Sequence, residues 1–197
     1  MKDYRLNWRG PFRWFGKNSS VVFDQPEAKL PGIYLFTFRH KNGFLIYSAG
    51  LTNKSFNSRL FDHLKHYLCG DYNILNPEKA EAGKRVVLWE WIGYGGYDPK
   101  RWTRRNDFLK NYLKNAKRIH AQLQTMRIFI APLDADRRVL ARIEGAIMNI
   151  LEKETNPAGA LPVKGMALSK RRTTERPFVV KYTGNVRFHG LPRSFEA

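Results

Sequence analysis

The chain has 197 residues and carries 35 Lys and Arg against 17 Asp and Glu, a formal charge of +18. That imbalance points away from an ordinary cytosolic enzyme and toward a polyanionic partner, of which nucleic acid is the first choice, through release of counterions from phosphates. A hydrophobic content of 43% with 13 Phe, 9 Tyr and 5 Trp excludes a disordered basic tail, and a chain of this length buries about 70% of its unfolded surface.

Further classes fall away on local features. Cys69 is the single cysteine, so neither an intrachain disulfide nor a Cys-rich zinc site can form. The start, Met1-Lys2-Asp3-Tyr4-Arg5-Leu6, lacks the apolar stretch of a signal peptide, and no apolar run approaches the roughly 18 residues of a membrane span. The expectation is a cytoplasmic protein with no membrane partner. The oligomeric state is left open by the sequence, a dimer being compatible with it.

In chain order, the first strong signal is Gly32 to Phe38, then Arg39-His40-Lys41-Asn42-Gly43, then Phe44 to Gly50. Two β-prone runs around an Asn-Gly pair predict a hairpin, and their nearly continuous apolar character predicts strands covered on both faces. A helix follows from about Ser55 to Leu68, capped at Asn53 or Ser55. Phe56, Leu60, Leu64 and Leu68 form its expected buried stripe, with Arg59, His63 and Tyr67 on the flank. Arg85 to Trp91 reads as a strand. Arg101 to Gln124 reads as one amphipathic helix, with Phe108, Tyr112, Ala116, Ile119 and Leu123 inward and Arg104, Lys110, Lys114, Lys117 and Arg118 outward. Met126 to Ala131 reads as a strand ended by Pro132, after which Asp134 or Asp136 caps a last helix.

Basic charge concentrates in two stretches. Lys100 to Arg118 holds eight cations and one acid, and Lys164 to Arg193, with Arg171 and Arg172, holds eight more and one acid. These are the candidate phosphate-facing surfaces. On the last helix Glu144 falls among Leu140, Ile147, Met148 and Leu151. A carboxylate on an apolar face is costly unless it is paired with an arginine, holds a metal or acts as an acid.

These residues resemble the GIY-YIG nuclease superfamily, nearest to its restriction-endonuclease branch: Gly32-Ile33-Tyr34, then Tyr47-Ser48-Ala49-Gly50-Leu51-Thr52, then Arg59 and His63, then Glu144, and Asn156 twelve residues later. The resemblance covers Pro31 to about Gly70 and Arg127 to about Pro162. It implies an α+β fold, a small antiparallel sheet of three or slightly more strands flanked by helices. The corresponding layout is an N-terminal extension (1–30), a nuclease-like domain (31–162) with an inserted basic helical region at about 71–125, and a basic C-terminal extension (163–197).

The implied activity is hydrolysis of DNA phosphodiesters with Mg²⁺ or Mn²⁺, in a restriction, phage or mobile-element setting. Glu144 would hold the metal, since Mg²⁺ prefers oxygen ligands and keeps several waters. Arg59 would clamp the scissile phosphate with its planar fork of donors. His63 or Tyr34 would take the proton from the attacking water. Asn156 would hold the arrangement by hydrogen bonding, and Lys54 would add positive charge beside the phosphate.

The sequence departs from the family at the second tyrosine, where Ser48 stands two residues before Gly50 and Tyr47 comes one early. A two-residue Asn42-Gly43 loop pairs Phe38 with Tyr47 and puts Tyr47 on Tyr34's face, whereas a three-residue loop favours Ser48. Tyr47 is the expected partner. A catalytically impaired member that only binds nucleic acid is the alternative reading, and a basic structural protein of a ribonucleoprotein is a third. His63 and His66, three apart with no second ligand pair, are insufficient for zinc.

Overall fold

The computed structural model describes residues 3–16, 20–91, 98–162 and 171–197. In chain order the elements are β1 (Asp3–Asn7), β2 (Arg9–Phe12), β3 (Gly32–His40), β4 (Gly43–Thr52), α1 (Phe56–Leu68), β5 (Ile74–Leu75), α2 (Pro77–Glu81) and β6 (Val87–Trp89). There follow α3 (Pro99–Lys110), α4 (Tyr112–Thr125), β7 (Arg127–Pro132), α5 (Arg137–Lys153), α6 (Pro157–Ala160), β8 (Val179–Thr183), β9 (Phe188–His189) and β10 (Ser194–Glu196). The fold is α+β, with sheets flanked by helices. Among the described residues no helix is long and apolar enough to cross a membrane.

The central sheet has the order β2-β7-β3-β4-β9, with β3 antiparallel to both β7 and β4. Gly32 to Phe38 is buried throughout, which explains the unbroken apolar run. One face of β3 carries Tyr34, which meets Phe56 of α1 edge-on at 6.5 Å. On the other face Phe129, paired with Leu35, packs on Phe44 and Phe188, each at 4.9 Å between ring centres.

Both outer strands of this sheet come from the segments expected as extensions. β2 pairs with β7, and β9 runs parallel to the start of β4. The chain's two ends also form a sheet of their own, in which β8 lies between a parallel β1 and an antiparallel β10. The region at 71–125 contains the β5-β6 pair as well as α3 and α4.

The hairpin forms with a different turn from the one expected. His40 pairs with Gly43, so Lys41 and Asn42 make the loop, and Phe38 pairs with Leu45 rather than Tyr47. Lys41 rather than a glycine takes the left-handed conformation, at φ 47°. Further along, the register shifts by one between Thr37–Ile46 and Phe36–Ser48, leaving Tyr47 as the extra residue of a β-bulge.

In α1, Ser55 is the cap, accepting a hydrogen bond from the Ser58 amide at 3.2 Å. Its buried residues are Phe56, Leu60, His63 and Tyr67, while Leu68 is exposed. A strict four-residue spacing drifts about 40° per step around an α-helix, so the expected leucine stripe rotates out of the core within three steps. His63 and Tyr67 replace it. Full burial of Phe56 and Leu60 contributes roughly 1.5–3 kcal/mol each.

The helix expected from Arg101 to Gln124 is divided at Asn111, whose side-chain amide donates to the Asp107 carbonyl at 3.0 Å and closes α3. Phe108, Ile119 and Leu123 are buried as expected, but Tyr112 is exposed. Asp136 caps α5, its carboxylate accepting from the Val139 amide at 2.9 Å. Leu140, Ile147, Met148 and Leu151 are buried. Glu144, which falls among them on the same face of the helix, is half-buried.

Candidate active site

The antiparallel pairing of β3 with β4 sets Tyr34 directly opposite Gly50. A β-carbon at Gly50 would lie 2.1 Å from the Tyr34 hydroxyl oxygen, so the phenol ring can cross β4 only because that residue has no side chain. Having crossed, Tyr34 is 2% exposed and reaches α1, where its Oη is 2.5 Å from His63 Nε2. Arg59, one turn earlier, donates from Nε to the same oxygen at 3.3 Å.

One proton therefore lies between Tyr34 Oη and His63 Nε2, and the Arg59 guanidinium bonds the same oxygen. Burial holds the His63 imidazole well below the usual histidine range, and the neighbouring Arg59 guanidinium pushes it the same way. The ring is neutral and able to accept a proton. His63 Nδ1 is buried with no hydrogen-bond partner among the described residues.

Glu144 comes from α5. Burial raises its carboxyl from 4.5 to about 7, against an opposing pull from Arg59. Arg59 and Glu144 together occupy the boundary between two spaces. Behind them is a cavity of about 280 Å³ whose walls include Tyr34, Tyr47, Ser48 and His63. In front is an open groove of about 740 Å³ lined by Lys54, Asp62, Arg137, Arg138 and Arg172.

The structure thus brings together Tyr34, Tyr47, Arg59, His63 and Glu144, which come from β3, β4, α1 and α5. The bulge alters the second-tyrosine question. Ser48 opposes Phe36 and stands on Tyr34's face by register, yet the extra residue Tyr47 also reaches the cavity. Its ring stands edge-on to Phe38 at 6.2 Å, with the Arg85 guanidinium 5.9 Å from its centre.

Asn156 is not brought to this place. It is exposed, caps α6 by accepting from the Ala158 amide at 2.8 Å, and donates to Glu154. It lines neither space.

Of the expected phosphate contacts, Lys54 and Arg172 line the groove. Arg104 bonds the Glu90 carbonyl at 2.9 Å, and Arg171 is 3.7 Å from Glu196. Lys110, Lys114 and Lys117 are exposed on α3 and α4 and line neither the cavity nor the groove. Lys164 and Lys170 lie outside the described residues.

Gly50, quoted above only as part of the motif, and Arg137 and Arg138, which the sequence did not single out, also contribute. The glycine inside a strand pattern was the signal for the first. For the arginines it was their place in the first turn of α5, where the helix dipole disfavours cations unless something anionic draws them. Arg138 is engaged by Glu175 through two 2.6 Å hydrogen bonds, which hold that carboxyl down at about 2.

The donor set suits Mg²⁺ or Mn²⁺ better than zinc. Glu144 is a hard oxygen donor of the kind these ions take, and Asp62 borders the same groove. No cluster of three His, Cys, Asp or Glu able to hold a metal is present among the described residues. A cation here would keep most of its ligands as water.

No family model matches the sequence, and neither the curated proteins nor the solved structures compared with it give a match.

Proposed function

We propose that the protein is a metal-dependent DNA endonuclease of GIY-YIG type. The observation that carries this reading is the position of Arg59 and Glu144 between a cationic groove and the Tyr34–His63 pair. The three-stranded antiparallel core β7-β3-β4, with α1 and α5 supplying the polar residues, is in keeping with the family's layout.

In this reading the groove takes the DNA backbone, with Lys54, Arg137 and Arg172 neutralising phosphates. Arg59 holds the scissile phosphate by charge-assisted hydrogen bonds. Water attacks phosphorus, the P–O3′ bond breaks, and the water's proton passes to the Tyr34–His63 pair. The departing oxygen takes a proton from solvent. His63 suits this role because it is neutral beforehand. Held by Glu144, Mg²⁺ would supply charge neutralisation at the reacting phosphate.

A second reading, a nucleic-acid-binding protein of this fold with impaired catalysis, draws on Tyr47. Its bulged position and its packing against Phe38 and Arg85 suit a wall of the cavity as well as a proton-transfer group. Incubation of the protein with supercoiled plasmid separates the two. The endonuclease reading expects nicked or linear products with Mg²⁺ and none with EDTA. Intact plasmid under Mg²⁺ and Mn²⁺, with DNA binding retained, leaves the binding protein.

A further inference from the structure

The cavity behind Arg59 and Glu144 is larger and more aromatic than a proton relay needs. Beyond Tyr34 and His63, Tyr47, Tyr72 and Trp91 line it, together with Ser48, His66 and Asn73. Those walls are held in place before any ligand arrives. Tyr72 packs against His63 and His66, each at 5.4 Å between ring centres, and against Tyr67 at 5.0 Å. His66 Nδ1 is 3.0 Å from the carboxylate of Asp71, a residue 8% exposed, which Arg105 grips in turn at 2.5 Å. Asn73 is buried and accepts the Trp91 amide at 2.9 Å through Oδ1, so its side-chain nitrogen is the end of the amide that can donate to a guest.

The cavity's length matches its chemistry. Arg59, His63 and His66 follow one another along α1 and all line it. Seven residues of helix rise about 10 Å, which takes the wall from the phosphate clamp at Arg59 past His63 to His66. A nucleotide spans a similar length from phosphate to the far edge of its base.

We propose that this cavity receives the nucleobase of the nucleotide whose phosphate lies on Arg59, extruded from the DNA and stacked on Tyr72 and Trp91. The inference rests on the groove binding nucleic acid, as proposed above. Stacking supplies the attraction, since every base has a π-face. Asn73 and Ser48 supply hydrogen bonds for the base edge, and an unpaired or mismatched base enters most readily because less pairing is lost.

The test compares binding of deoxynucleoside monophosphates with that of 2-deoxyribose 5-phosphate to the full chain, by calorimetry in EDTA. The expected result is at least about tenfold tighter binding of the nucleotides, with the preference lost in Tyr72→Leu and in Trp91→Leu but kept in Lys110→Gln. Trp91 is 42% exposed, so its variant carries the test even if Tyr72→Leu fails to fold. Equal affinity for both probes, or a preference undiminished in Trp91→Leu, overturns the proposal. Plasmid cleavage without nucleobase preference removes the pocket and leaves the nuclease, and the preference without cleavage does the reverse.

Discussion

Replacing Glu144 by Gln tests the electrostatic setting of the site without any assumption about substrate. The folded protein holds the Glu144 proton up to about pH 7, whereas the unfolded chain releases it near 4.5. Because the folded-state value is the higher one, the wild type's stability relative to the Glu144→Gln variant is greatest below pH 4.5. It falls as pH rises and levels off above about 7. A difference of about 2.5 pH units corresponds to at most about 3.4 kcal/mol at about 1.36 kcal/mol per unit. Glu144 is only half-buried and borders an open groove, so solvent screening reduces the expected change to about 1–3 kcal/mol. Urea unfolding of both proteins between about pH 4.5 and 8.5 reads it directly, since every other titrating group is common to the pair. Added Mg²⁺ at about pH 8.5 should stabilise the wild type alone, by about 2.7 kcal/mol at a hundred times its dissociation constant. A wild-type to variant difference that stays flat with pH, or that moves in the wild type's favour as pH rises, would show that burial does not hold the Glu144 proton.

Gly50→Ala should displace Tyr34 from His63, because its new β-carbon falls 2.1 Å from the phenol oxygen. Cleavage should drop at least about tenfold while DNA affinity holds, as read by plasmid nicking and filter binding. Tyr47→Phe should slow cleavage by roughly 10² to 10⁴ if its hydroxyl joins proton transfer, with Ser48→Ala mild. The reverse ranking in steady-state rates assigns the role to the residue that the bulge puts opposite Phe36. Log affinity should decline with log salt by about 0.9 per phosphate neutralised, and the groove variant Lys54→Gln/Arg137→Gln should flatten that slope more than Lys110→Gln/Lys114→Gln/Lys117→Gln. Equal slopes would place the DNA elsewhere. With limiting Mg²⁺, cleavage should rise with pH through about 7 as Glu144 ionises, and His63, which burial keeps neutral, should add no second inflection. A pH–rate profile with a single rise centred well below about pH 6 would contradict this assignment.

The strands and helices that carry the site were legible because their signals are local. Continuous apolar runs marked β3 and β4, and Ser55 and Asp136 marked the starts of α1 and α5. What was not legible depended on contacts between distant segments. The Asn42-Gly43 pair suggested one turn, but β4 begins at Gly43, where the Phe44 amide bonds the Arg187 carbonyl at 2.9 Å from the far end of the chain. The bulge that brings Tyr47 to the cavity leaves no mark in local composition. Four-residue leucine spacing in α1 hid the true 3.6-residue face, and with it the burial of His63 against Tyr34. Asn156 matched by spacing alone, and its side chain is used up by a helix cap. The pairing of β1 with β8 joins the two ends of the chain, a relation no short window contains.

The proposed function requires that Glu144 serve phosphodiester hydrolysis rather than the fold. Its most direct measurement is cleavage of supercoiled plasmid by wild type and Glu144→Gln across a Mg²⁺ titration, with DNA affinity measured on the same preparations. The endonuclease reading predicts metal-dependent cutting by the wild type and none by the variant, at equal or higher affinity for DNA. Full cutting by a folded Glu144→Gln protein would contradict it.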